Sequence, residues 1–167
     1  MKILGIDPGL HRVGIAVADI TAGRYQLIQC GVITTPSELS LSVRLVQLRD
    51  DLTAFIAQHP DIAVCGIEEL FFSKNVTTAP MVYQARGVIL ELLERVGVQS
   101  VISVKPQHVK QYVTGSGSAD KREVQEMVRH TFHLDAVPKP DDAADAAAIA
   151  IAAEAIFRSQ GHQKNAS

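Results

Sequence analysis

Apolar residues change their period several times along this chain, and each change marks an element. Residues 2–7, 12–19 and 25–34 are apolar and β-branched runs separated by Pro8-Gly9-Leu10-His11 and Thr21-Ala22-Gly23-Arg24. Connections that short only turn a chain back on itself, so the pattern predicts three strands in an antiparallel meander. Leu41, Leu45, Leu48, Leu52, Phe55 and Ile56 then recur at helical spacing, with Arg44, Gln47 and Asp51 off the stripe and His59-Pro60 ending it. Residues 62–68 are apolar throughout, as expected of a central strand covered on both faces. A second helix is expected from about Thr78 to Val96, with Pro80 in its first turn and Val82, Ala85, Ile89, Leu92, Leu93 and Val96 as its stripe. A fifth strand is expected over 98–104, then a short helix from Pro106 to about Val113. Ser118 is the expected cap of a further helix carrying Val124, Met127, Val128, Thr131 and Phe132. Pro138 and Pro140 precede a last, alanine-rich helix over about 142–158, and residues 159–167 are expected to form a disordered tail.

The order β-β-β-α-β-α-β-α-α-α predicts an α/β fold: one five-stranded mixed sheet, half meander and half crossover, with helices on both faces. A length of 167 residues, 47% of them hydrophobic and none of them Trp, fits one domain over 1–158. No stretch approaches the ~20 apolar residues of a membrane span, and the N-terminus has no charged segment followed by a long apolar one, so a cytoplasmic location is expected. Cys30 and Cys65 lie inside strand-like runs without metal spacing, which predicts packing residues rather than a disulfide or zinc site.

If strands 2–7 and 62–68 are parallel neighbours, Asp7 and Glu68 meet at their carboxyl ends, where open α/β sheets place ligands. Asp142 and Asp145, three apart, share one face of the last helix, and the surrounding alanines let that helix lie close to the sheet. Carboxylates at the ends of core elements need a cation, and hard oxygen donors select Mg²⁺ or Mn²⁺ over zinc. Two such ions ~3.5–4 Å apart would clamp a phosphodiester, which makes phosphodiester hydrolysis the inferred reaction. The plainer alternative reads Asp142 as a first-turn acid, Asp141 as an N-cap and Glu68-Glu69 as a strand end in solvent.

Net charge is −2 with a pI near 6.3, which argues against a uniformly basic nucleic-acid coat. Arg86, Lys105, Lys110, Lys121, Arg122 and Arg129 nevertheless fall in one third of the chain, as a polyanion-binding surface or as a scattered solvated face. Gly115-Ser116-Gly117-Ser118, flanked by Lys110 and Lys121, is read as a phosphate-binding turn rather than a joint. His130 and His133 are read as an exposed face rather than metal ligands, since no third ligand accompanies them.

The residues Gly5-Ile6-Asp7-Pro8-Gly9, Ile67-Glu68 with Phe71 and Lys74-Asn75, Gln84-Ala85-Arg86-Gly87, Val109-Lys110-Gln111, Gly115 to Lys121 and Asp142-Ala143-Ala144-Asp145-Ala146 together resemble the RuvC family of Holliday-junction resolvases. The resemblance spans nearly the whole chain. It implies a ribonuclease H-like fold, a homodimer, and Mg²⁺-dependent symmetric nicking of four-way DNA junctions in recombination and repair. It also implies partnership with the RuvA and RuvB branch-migration proteins. Carried over by residue, it makes Asp7, Glu68, Asp142 and Asp145 the catalytic, metal-holding acids. Lys74, Arg86, Lys110 and Lys121 become DNA-binding groups, and Phe71 the aromatic at the junction. Asp141 stands beside Asp142, and Phe72 beside Phe71, as neighbours of the same type. Rival functions are a same-fold nuclease for ribosomal RNA precursors, an actin-like ATP binder suggested by the first loop, and a junction-binding protein without catalysis. An actin-like pair of domains needs more chain than this.

Overall fold

A computed structural model describes residues 1–70 and 79–164, with side chains to Gly161. Phe71, Phe72 and Lys74 therefore lie outside the described residues. The elements are β1 (Lys2–Asp7), β2 (Arg12–Thr21), β3 (Arg24–Thr34), α1 (Leu41–Ala57), β4 (Ile62–Glu68), α2 (Ala79–Arg95), β5 (Ser100–Val104), α3 (Pro106–Thr114), α4 (Lys121–Thr131) and α5 (Asp141–Lys164). They form one mixed sheet in the order β3-β2-β1-β4-β5. β1, β2 and β3 pair antiparallel as the expected meander, whereas β1–β4 and β4–β5 are parallel. Each face of the sheet carries its own core. Leu4, Ile6, Cys65 and Ile67 pack with α1 and α2, while Ile3, Val64, Ile102 and Val104 pack with α3, α4 and α5.

The alternation of side chains along a strand assigns every residue to one of these cores. Gly5 and Asp7 share the α5 face of β1 with Ile3, as Gly66 and Glu68 share it on β4 with Val64. α5 crosses that face on glycines. A methyl group at Gly14 would run into the carbonyl oxygen of Asp142, at Gly5 into that of Ala146, and at Gly66 into the side chains of Ala153 and Ile149. Bare glycine on the sheet and alanine on the helix let two backbones approach more closely than larger side chains would permit. From Ala143 to Ala153, every residue of α5 except the half-buried Asp145 is buried.

β2 and β3 extend to pair Thr21 with Arg24, which tightens the expected turn to Ala22-Gly23, and three further boundaries differ from expectation. Gly97, at φ 77°, turns the chain at the end of α2 and the Val98 amide returns to the Leu93 carbonyl (3.1 Å), so the fifth strand begins at Ser100 rather than 98. Asp120, not Ser118, caps α4. Helix α5 continues to Lys164, where an irregular tail after Ser159 was expected, because extending an established helix costs far less than starting one. Cys30 and Cys65 are both free, one half-buried and one buried, and burial pushes both thiols up. Among the described residues, no helix is long and apolar enough to cross a membrane.

Candidate active site

Ile6 pairs with Ile67 in the parallel β1–β4 ladder, so Asp7 and Glu68 leave neighbouring strands at their carboxyl ends and on the same face. Directly across from Asp7 on β2 is Gly14, and the first turn of α5 rests on it through the Asp142 backbone. That contact sets Asp142 beside Asp7, and Asp145 follows one turn further along the helix. All four carboxylates are partly buried.

Their electrostatics follow from crowding in a poorly solvated place. Burial, followed by the charges of Asp145 and Asp142, raises Asp7 from its ordinary 3.8 to about 6, against a smaller opposing pull from Lys121. Glu68 rises to about 7, again through burial first and then through Asp7 and Asp145. Asp145 is raised by burial, although Lys121 draws it back down. Mutual repulsion of this kind means that the acids lie within reach of one another.

Two cations of the chain itself already face the acids of α5. Arg12, at the start of β2, forms an ion pair with Asp142. Lys121, the first residue of α4, lies 3.0 Å from Asp145 and 3.6 Å from Asp141. A lysine at a helix N-terminus opposes the helix dipole, and these two carboxylates offset that cost. Burial disfavours the Lys121 charge, but its bonds to Asp145 and Asp141 hold its pKa above the usual lysine value. Asp141 is drawn outwards by Lys139 at 2.9 Å, which lowers its carboxyl, and so it differs from Asp142 in setting.

Lys110 and Lys121 line a cleft of about 210 Å³ together with Glu68, Asp145, Pro106 and Val109. Two sequence-predicted basic residues therefore flank the predicted acids. Arg86 does not line this cleft and instead donates to Ser103 Oγ on β5, at 2.7 Å. Arg12 was missed by the sequence reading. Its only signal was a cation opening the strand that follows Asp7 and the turn over 8–11, and the partner that gives it meaning lies 130 positions later.

In the turn over 115–118 the amides of Gly115, Ser116 and Ser118 are bonded within the chain. The Asp120 carboxylate accepts the Glu123 amide (2.8 Å), and Glu123 accepts the Asp120 amide (2.7 Å), so the chain's own acids satisfy the first turn of α4. Glu123 and Glu126 also line the adjoining hollow, which disfavours phosphate there. Gln111 Nε2 donates to the Gly115 carbonyl at 2.8 Å, and Thr114 and Ser116 bond to one another, so the segment is no loose joint either. α4 ends at Thr131 and His133 has φ 54°, which takes it off the helical face of His130; both rings are exposed.

Four hard oxygen donors that repel one another fit a divalent cation in kind. Among the described residues, no three His, Cys, Asp or Glu side chains close around a single point, which accords with Asp142 and Asp145 being engaged by Arg12 and Lys121.

A family model described as crossover junction endodeoxyribonuclease RuvC matches residues 3–153. Proteins of that name from Roseiflexus sp. (strain RS-1) and Heliobacterium modesticaldum are 52% and 47% identical to this chain, in each case over 90% of it and over 88% and 92% of their own lengths. The Thermus thermophilus RuvC structure superposes with a TM-score of 0.87 at 29% identity, covering 96% of this chain and 97% of that one. T. thermophilus RuvC in complex with Holliday junction substrate gives 0.85 at 27% identity, with the same coverage. The yeast mitochondrial Holliday junction resolvase Ydc2, at 16% identity and a TM-score of 0.69, shares the fold. The mixed sheet and its helices are thus ribonuclease H-like. RuvC nucleases are metal-dependent. From the family model and from relatives at about half identity along nine-tenths of its length, the chain belongs to the RuvC family of crossover junction endodeoxyribonucleases.

Proposed function

We propose that this protein resolves four-way DNA junctions by hydrolysing one phosphodiester in each of two strands, with Asp7, Glu68, Asp142 and Asp145 as the acids that do so. The observation that carries the reading is the meeting of these carboxylates at the ends of β1, β4 and α5, beside a cleft walled by Lys110 and Lys121. The four acids would hold two Mg²⁺ ions, or Mn²⁺ in their place. The chemistry such ions supply is stabilisation of charge on the attacking and leaving oxygens.

The protein's own groups have distinct tasks. Lys110 and Lys121 balance the charge of a phosphate entering the cleft, where carboxylates alone would repel it. Glu68, with its pKa near neutrality before a cation arrives, can hold or release a proton at the cleft wall. Gly14 positions Asp142, and through α5 also Asp145, without touching substrate. Phe71 is assigned to an unpaired base at the crossover, and Lys74 and Arg86 to the DNA backbone, on the family pattern alone.

A four-way junction has two-fold symmetry, so symmetric nicking calls for two copies of the site. The exposed apolar side chains Val43, Val46 and Met81 on α1 and α2, beside a groove of about 470 Å³ lined by Leu45 and Val88, support a homodimer through that face. Partnership with RuvA and RuvB and a cytoplasmic location are part of this proposal, on the family pattern alone. Residues 1–158 act as one nuclease domain, since both cores share a single sheet.

The deciding experiment incubates the protein with Mg²⁺ and, separately, a four-way junction, plain duplex, RNA–DNA hybrid and structured RNA. Paired, symmetric nicks in the junction at much the highest rate are expected. Preferential cutting of structured RNA would move the protein to a different role within the same fold.

A further inference from the structure

Among the described residues, Asp142 and Asp145 are the two of the four acids that form an ion pair with a cation of the chain, and the two partners differ in kind. Lys121 comes from α4 and divides its charge between Asp145 and Asp141. Arg12 comes from the sheet itself and is paired with Asp142. The turn Pro8-Gly9 fixes where Arg12 starts: a methyl group at Gly9 would run into the Arg12 carbonyl oxygen, so the chain folds back there over a bare glycine. Residue 12 has the same parity along β2 as Gly14, which delivers its side chain to the α5 face at the one point where Asp142 touches down. A planar guanidinium that is always charged is held against a carboxylate meant for a metal ion.

We propose that Arg12 is an internal competitor for the divalent cation at Asp142. It neutralises that carboxylate in the metal-free protein, and a metal ion gains Asp142 only by displacing it. This rests on the reading that the four acids hold the metal. The competition lowers apparent metal affinity, because the ion gains Asp142 only as it breaks the pair. It also steadies the start of α5 against the sheet before metal arrives. Arg12 is thus a positioning residue for Asp142, acting through that side chain. Once displaced, its guanidinium stays at the rim of a site that receives a phosphodiester.

The test is a titration of the full-length protein with Mg²⁺ and with Mn²⁺ in the absence of DNA, read both by calorimetric binding and by the metal-induced rise in Tm. A partly exposed ion pair is worth little, so Arg12→Gln should bind metal roughly 1.5- to 5-fold more tightly than wild type. Its metal-free Tm should be slightly lower. Arg12→Lys, which keeps the charge, should stay near the wild-type affinity. Lys139→Gln removes a charge of the same sign that pairs with Asp141 instead, and it should tighten metal binding less than Arg12→Gln. In an Asp142→Asn background, the gain from Arg12→Gln should vanish, because the competed carboxylate is gone. Equal tightening by Lys139→Gln would reduce the effect to general electrostatics and overturn the proposal. So would unchanged or weaker binding by Arg12→Gln, and Arg12→Ala, titrated in the same way and expected to bind more tightly than wild type, decides the matter should the glutamine variant not fold. No metal binding by wild-type protein would instead overturn the reading of the four acids, and this inference with it. Metal binding by wild type with no response to Arg12→Gln overturns the inference alone.

Discussion

Replacing Asp7 by asparagine should make the metal-free protein more stable while abolishing its nuclease activity. Asp7 is raised from 3.8 to about 6, mainly by burial and then by the charges of Asp145 and Asp142. The folded chain therefore binds the Asp7 proton more tightly than the unfolded chain does. Stability then falls as pH rises between about 4 and 6, and the full penalty persists above that window. At about 1.4 kcal/mol per pH unit, the cost of ionising Asp7 in the folded protein is at most about 3 kcal/mol. Glu68, whose pKa is raised in second place by Asp7, would be relieved as well. Asn keeps the shape and removes the charge. For a chain of this length, a gain of that size corresponds to a rise of roughly 5–10 °C in Tm. The assay is calorimetric melting of wild type and Asp7→Asn in chelator at pH 8 and pH 5. The variant should melt well above wild type at pH 8, and the gap should shrink at pH 5, where wild-type Asp7 is itself mostly protonated. Saturating Mg²⁺ should raise wild type far more than the variant, and junction cleavage by the variant should be lost. Melting of Asp7→Asn below wild type at pH 8 without metal, or a gap that does not depend on pH, would refute the account of four crowded and poorly solvated acids.

Gly14→Ala should cost about 1–3 kcal/mol of stability and most of the cleavage activity, because its new methyl group meets the Asp142 carbonyl; Gly31→Ala, across β2 from Ile15 with open space beside it, should leave cleavage unchanged. Equal effects in melting and cleavage assays would remove the positioning role of Gly14. Lys110→Ala should weaken junction and duplex binding alike and reduce the slope of log affinity against log salt by roughly one, since a lysine on a phosphate releases a counterion without reading sequence. An unchanged slope would return Lys110 to solvent. Asp120→Ala removes the α4 cap and should lower stability by about 1 kcal/mol while leaving junction binding intact. A loss of binding without a loss of stability would restore an anion-binding role to that turn.

Much of this was legible along the chain. Period alone located the strands and most helix limits, because a strand buried on one face and a helix with one apolar stripe each leave a repeat that needs no partner to be seen. The acids stood out for a related reason: Asp7 and Glu68 close apolar runs, where an unpaired charge is costly. Periodicity had least to say about α5, which from Ala143 to Ala153 is buried nearly all round and has no stripe to give its orientation. The bare track of Gly14, Gly5 and Gly66 settles that orientation, and those residues are scattered over three strands that only the sheet brings together. Asp120 took the cap from Ser118 because Glu123 completes a reciprocal pair with it. Arg86 turned to Ser103 on β5, a partner set by how α2 lies on the sheet. Most telling is Arg12, an ordinary cation at the start of a strand until β2 and the first turn of α5 meet over Gly14. Local sequence determines which residues are costly to bury, because that cost belongs to each side chain. The neighbour that offsets it is chosen by packing between segments far apart in the chain, and so only the tertiary structure could name it.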